Sequence, residues 1–238
     1  MKVRLAQCWD DGTVTDIRLC ELLRKHNASA SFNLNPGTHQ DHRYTRWKHR
    51  DRDVWKLSLS ELTSIYEGFL VANHTLSHPK LTQISPREAS REITEGKDAL
   101  EQLFGYRVDG FAYPHGDHDA SVREIVRSSG HLYARSIENS RSVFPPEDAM
   151  NFKPSCHFLA ENFWQEFEHA RLNRTVFYFW GHSCEIHTEE DWFAFERKIE
   201  RLSQEGEWIS LPSLFQPEAS LPSGVTAKSR PDPLIHPQ

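Results

Sequence analysis

Two adjacent carboxylates, Asp10 and Asp11, close an apolar run containing Val3, Leu5 and Cys8, and Gly12 follows at once. Neighbouring residues on a strand point to opposite faces, but where a strand ends the backbone turns and both can face one pocket. Two like charges that close are costly unless a cation or a shared proton separates them. Asp-Gly is also a common turn dipeptide, so the pair needs partners before it means chemistry. His74-Thr75-Leu76-Ser77-His78 places two imidazoles four residues apart, on one face if that turn is helical. Alone, they could equally be two partly exposed polar residues. Catalytic Zn2+ typically takes three protein ligands and leaves one position for water. One Asp of the opening pair would complete a His, His, carboxylate set, and the other could accept a proton from the metal's water. That chemistry suits hydrolysis of an amide or ester. The leaving amine then needs an acid, and His182 is the best placed candidate, against the alternative of a hydrogen-bonded core histidine. Backbone N–H groups around Pro114-His115-Gly116 could stabilise an oxyanion, or simply form a turn.

Such residues need elements to hold them. The run before Asp10 reads as a strand, and Thr13 with Asp16 caps a helix whose apolar face (Ile17, Cys20, Leu23) reaches about His26. Residues 28–34 alternate as a second strand. Ser58 and Glu61 cap a short helix to Glu67, and 69–72 is a continuous apolar run, the mark of a strand buried on both faces. Ser85-Pro86-Arg87-Glu88 opens a helix that stops at Gly105. Strands are expected over 108–113 and 132–137, with a helix between them ending at Gly130. Residues 140–154 read as loop, 156–159 as a short strand, 161–170 as helix and 176–180 as a strong strand. Thr188 and Asp191 cap a helix stopped by Gly206, and 208–211 is a last strand. Alternation of strand and helix argues for a parallel, doubly covered sheet or a barrel, in which chemistry collects at the C-terminal ends of strands. Asp10, Asp11, His74, His78, His115 and His182 all follow a predicted strand end.

A chain of 238 residues is long enough for one large domain with a full core, and a net charge of -6 gives no support to nucleic-acid binding. No apolar run approaches membrane-spanning length, and Met1-Lys2-Val3-Arg4 opens without a secretion segment, so a cytoplasmic protein is expected. Cys8, Cys20, Cys156 and Cys184 lack close spacing and read as free thiols. From Pro217 the Pro- and Ser-rich composition carries no core pattern, which divides the chain into a domain at 1–216 and a disordered tail at 217–238.

In their order, Asp10-Asp11-Gly12, His74 to His78, the 111–116 segment and the late His182 resemble the polysaccharide deacetylase family, the NodB-homology group also called carbohydrate esterase family 4, over roughly residues 3–211. The resemblance implies a distorted (β/α) barrel of about seven parallel strands, similar to a TIM barrel. It implies metal-dependent removal of N- or O-acetyl groups from a sugar or oligosaccharide, at a non-peptide C–N bond in the amide case. On it, Asp10 is the catalytic base, and Asp11, His74 and His78 hold one divalent metal. Zn2+ leads, with Co2+, Ni2+ or Fe2+ also compatible. Tyr113 and His115 form the oxyanion and substrate segment, and His182 is the general acid. The partner is an acetylated carbohydrate or related small molecule, not nucleic acid or membrane. Two alternatives stand beside it: an amidohydrolase of the same superfamily acting on a non-sugar amide, and a non-catalytic, metal-containing sugar-binding relative.

Two departures mark the chain. Ala112 stands where the family usually has an Arg that tunes the catalytic Asp, and Arg135 on the following strand is the candidate replacement. The late motif reads Trp180-Gly181-His182-Ser183. The stretch 38–56, with Arg43, Arg46, Lys48, Arg50 and Arg52 among Tyr44, Trp47 and Trp55, shows no periodicity. It should rise on the face of the site, as a sugar-stacking and anion-binding wall or as a mobile charged loop. His157 could line the pocket and Glu185 could reach it. His39, His42 and His49 are not counted as ligands.

Overall fold

A computed structural model describes residues 2–141 and 143–216. The tail expected from residue 217 onward lies outside the described residues. The first strand, β1 (Val3–Asp10), is buried along nearly its whole length, as its apolar composition demands. Then follow α1 (Asp16–Lys25), β2 (Ser31–Leu34), β3 (Tyr44–His49), β4 (Arg52–Lys56), α2 (Leu62–Ile65), β5 (Leu70–Asn73) and α3 (Pro86–Phe104). The remainder is β6 (Gly110–Ala112), α4 (Ala120–Ser128), β7 (Tyr133–Arg135), β8 (Cys156–His157), α5 (Phe163–Asn173), β9 (Val176–Gly181), α6 (Glu189–Glu205) and β10 (Gly206–Trp208).

Seven strands form one parallel sheet in the order β7-β6-β5-β2-β1-β9-β8, and β10 adds to β1. The edge of β1 is shared: Val3 to Leu5 pair with β10, while Cys8 to Asp10 pair with β2. Phe152 bridges to Arg135 on β7, and four residues later β8 pairs with β9, so the 152–157 segment draws the two edges of the sheet together. The result is the expected distorted (β/α) barrel.

Aromatic packing fixes its interior. Trp9 is fully buried between Phe158 (ring centroids 5.0 Å), Phe195 (5.3 Å) and Phe179 (6.4 Å). This cluster seats α5 and α6 against the strands that carry Asp10 and His182. Gly181 is obligatory there, because a Cβ would lie 2.1 Å from Phe158 Cδ1. Helix α3 begins and ends as its sequence predicts: Ser85 accepts from the Glu88 N–H, Pro86 is the first helical residue and Gly105 closes it at φ 74°.

Three expectations need correction. Residues 44–56 form an antiparallel hairpin, β3 with β4, and not an aperiodic loop. The last strand lies at Gly206–Trp208, ahead of the expected 208–211. The turn carrying His74 and His78 is not helical, since Thr75 and His78 both take left-handed φ values of 66° and 70°. All four cysteines are free, and no helix among the described residues is long and apolar enough to cross a membrane.

Candidate active site

Asp10 is the last residue of β1, in register with Asn33 on β2. Asp11 then takes φ 81°, a left-handed turn that Asp tolerates better than most residues, while its N–H still bonds the Asn33 carbonyl (3.0 Å). Both carboxylates thereby stand over the C-terminal mouth of the barrel. His74 follows β5 directly and is fixed from both sides: its N–H donates to the Leu34 carbonyl (2.9 Å) and its Nδ1 to the Ala112 carbonyl (2.7 Å). That bond fixes the tautomer and leaves Nε2 bare.

His74 Nε2 lies 3.1 Å from His78 Nε2, with Asp11 Oδ1 at 4.0 Å from the first and 3.7 Å from the second. The three donor atoms all fall within 4.8 Å of one another. Burial holds the His74 imidazole below its ordinary pKa and that of His78 down to about 3, so both are neutral donors. Burial works against a charge on Asp11, but Lys56 and the His182 imidazolium outweigh it and keep the carboxyl ionised. One carboxylate and two neutral imidazoles suit a divalent cation of the Zn2+ type, whose tetrahedral ligands stand about 3.4 Å apart. The residues present fit such an ion.

The supports of this cluster were invisible in the sequence. Glu92 on α3, 5% exposed, accepts from the Ser77 N–H and Ser77 hydroxyl (both 2.8 Å), clamping the histidine turn. Asn73 accepts from the Thr75 N–H (3.0 Å) and donates to the Ile93 carbonyl (2.8 Å). Gly96 lets the turn approach α3 so closely that a Cβ would lie 2.8 Å from the Leu76 nitrogen. Behind Asp11, the fully buried Lys56 of β4 donates to the Asp11 carbonyl and to Asn35 Oδ1, and Asn35 Nδ2 donates to Asp11 Oδ1 (3.2 Å). Burial pushes the Lys56 ammonium down to about 8.

Asp10 is held differently. Asn33 donates to its Oδ1 and Arg135 to its Oδ2, each at 2.6 Å, and the Arg135 side chain is 1% exposed. Burial opposes the Asp10 charge, but Arg135, the His182 imidazolium and the Asn33 hydrogen bond together keep its pKa below the ordinary Asp value. Arg135 and Ala112 are register partners on β7 and β6, so the guanidinium enters at the level of Ala112. Its plane lies over the Trp180 ring at 4.7 Å.

His182 follows β9. Its Nε2 lies 3.8 Å from Asp10 Oδ2 and 3.8 Å from Asp11 Oδ2, and its Nδ1 lies 3.5 Å from Glu185 Oε2. The same Glu185 oxygen accepts from the His182 N–H (3.1 Å) and from His157 Nε2 (3.0 Å). The Leu159 N–H bonds His157 Nδ1 (3.3 Å), so Nε2 carries the proton given to Glu185. Burial disfavours the His182 imidazolium, but Glu185 and the two aspartates raise its pKa to about 9.

Of the other expected residues, His115 reaches the site: it takes φ 58° and its ring meets that of His78 at 4.5 Å. Tyr113 is buried and its hydroxyl donates to the Met150 carbonyl (2.8 Å), so only its backbone borders the site. Trp47 is half-buried with Lys56 Nζ 6.0 Å from its ring, whereas Trp55 is 47% exposed and alternates with the buried Lys56, on the outer face of the hairpin.

Known proteins share parts of this sequence and its fold. Residues 2–134 match the polysaccharide deacetylase family model. The chain is 39% identical over 61 residues to the peptidoglycan-N-acetylmuramic acid deacetylase PdaC of Bacillus subtilis, covering 26% of this chain and 13% of that protein. It is 25% identical over 118 residues to a peptidoglycan-N-acetylglucosamine deacetylase of Bacillus cereus, covering 49% of this chain and 38% of that one. The chain thus spans well under half the length of these curated relatives. Among solved structures, Bacillus subtilis PdaC superposes with a TM-score of 0.56 at 17% identity, covering 90% of each chain, a likeness of fold. With a family match across more than half its length, the chain belongs to the polysaccharide deacetylase family.

Proposed function

We propose that the chain is a metal-dependent deacetylase that hydrolyses the acetamide of an N-acetylated sugar or oligosaccharide, or the corresponding O-acetyl ester. The observation that carries this reading is the position of His182 Nε2, 3.8 Å from a carboxylate oxygen of each aspartate. It sets an imidazolium opposite a carboxylate across one mouth. Asp11, His74 and His78 would hold the cation, with Zn2+ favoured by two imidazoles and one carboxylate. When bound there, such an ion acidifies a coordinated water and polarises the acyl carbonyl.

The remaining work falls to the chain. Asp10, fixed by Arg135 and Asn33, stays ionised and accepts the proton of the attacking water. His182, charged and oriented by Glu185, returns a proton to the departing sugar amine, so that acetate and the free amine leave. In the 113–117 turn the N–H groups of Tyr113, Gly116 and Asp117 are already donated, which makes that of His115 the donor for the carbonyl oxygen.

Acetate release from a panel of acetylated sugars, oligosaccharides and non-sugar amides, with metal restored, tests the reading. Elemental analysis should find about one transition metal per chain, lost in His74→Ala. Asp10→Asn should keep the metal and lose turnover by a factor of about 10²–10⁴. Full metal retention in His74→Ala would sink the triad, and saccharide binding without acetate release from any substrate would favour a non-catalytic relative.

A further inference from the structure

The hairpin of β3 and β4 crosses the barrel mouth beside the candidate site. Arg46, at the bulge of β3, donates to the Ser77 carbonyl next to His78 (3.4 Å), and Arg52 donates to the His187 carbonyl, five residues beyond His182. Between these anchors the His49 ring stacks on His187 at 5.1 Å and 17°. His49 and Arg52 are register partners and share a face of the hairpin, and Trp47 alternates onto the same face.

The charge of this rim is out of keeping with the chain. The protein carries -6, yet residues 43–56 hold six Lys or Arg against two Asp. Arg43 pairs with Glu61, Lys48 with Asp53 at 3.8 Å, and Lys56 is engaged beneath Asp11. Asp191, the acid nearest His187, accepts the N–H groups of His187 and Thr188. Arg46, Arg50 and Arg52 have no carboxylate within 4.0 Å among the described residues. Three exposed guanidinium groups without counter-ions leave this rim positively charged, although Arg46 and Arg52 also anchor the hairpin through backbone carbonyls. Their planar forks match carboxylate, phosphate or sulfate, and Trp47 offers a face for a sugar ring.

We infer that this rim is an anion subsite and that the substrate is an acidic saccharide, with a carboxylate, phosphate or sulfate close to the acetylated sugar. The inference deepens the deacetylase reading and rests on it for turnover. Its test does not. N-acetylated oligosaccharides of matched length are compared, one neutral, one bearing a uronate and one bearing a phosphate, which separates the sources of the anion. For wild type, kcat/KM on an anionic substrate exceeds that on the neutral one by about tenfold or more, and added salt narrows the ratio. Arg46→Gln with Arg52→Gln brings the ratio close to one, and Arg46→Lys, which keeps charge but loses the fork, lowers it partway. Calorimetric binding of the same ligands to the Asp10→Asn protein gives the ratio in Kd without turnover. A Kd ratio near one overturns the subsite whether or not acetate is released, as does equal loss on neutral and anionic ligands in the Arg variants. A tenfold Kd ratio without acetate from any substrate supports the subsite and overturns the deacetylase reading.

Discussion

Three histidines face the two aspartates and live in opposite charge states. His74 and His78 sit where burial prevails, beside a carboxylate shared with Lys56, and their pKa values are driven down. His182 meets three carboxylates, those of Asp10, Asp11 and Glu185, and its pKa is driven up to about 9. The same side chain is thus held as a neutral imidazole on one side of the mouth and as an imidazolium on the other. The difference comes from counter-charges, since both groups are largely withdrawn from water.

The sharpest way to break this contrast is Glu185→Gln. It removes the carboxylate nearest His182 Nδ1, and kcat/KM should fall about fourfold at pH 7 and by about two orders of magnitude near pH 8.5. The sign follows from the direction of the shift: an imidazolium held up to about 9 keeps wild-type activity on its plateau below that pH and loses it above. In Glu185→Gln the alkaline limb should move toward the ordinary His range near ~6.5, read from kcat/KM against pH. An unmoved limb would show that Glu185 does not set the charge of His182.

Next in size is Glu92→Ala, on the neutral side. It frees the Ser77 N–H and hydroxyl, so metal affinity should drop by about 10–100-fold by competition with a chelator, with the His182 limb in place. Lys56→Met should act in the same direction but less, by about tenfold, because Asn35 still donates to Asp11. An unchanged affinity in both would mean that His74 and His78 are positioned by burial alone. Smallest is Trp55→Ala, at an exposed position on the outer face of the hairpin, which should change stability by less than about 0.5 kcal/mol in a denaturant titration. A large effect there would place a contact outside the barrel mouth.

Much of this contrast was legible in the chain and some was not. Asp10, Asp11, His74 and His182 each follow a strand whose apolar run is plain, and parallel strands deliver such residues to one level of a barrel. The meeting of His74 with His78 was expected for a helical turn, yet it is achieved by two left-handed residues clamped to α3. A four-residue spacing cannot distinguish these. The hairpin is not legible in the sequence because its turn puts Arg50 and Asp51 in left-handed conformations (φ 46° and 63°), where Asn-Gly is the usual signature. Lys56 and Glu92 look like surface charges by type. Only the closed fold shows that one lies beneath Asp11 and the other beneath the histidine turn. The reach of Arg135 to Asp10 depends on the register of two parallel strands joined through a helix, and neither strand encodes that register locally.

The pairing of Ala112 with Arg135 has a consequence for descent. In a parallel sheet, register partners on adjacent strands occupy the same height, so a charge can pass sideways from one strand to the next while its target stays in place. The residue beside the incoming charge is best small, as Ala112 is. Relatives could therefore trade this guanidinium between strands through two linked substitutions, each harmful alone and tolerable together. A lineage would then be traced by following a position in space around the barrel, where following a column of aligned letters would record a loss.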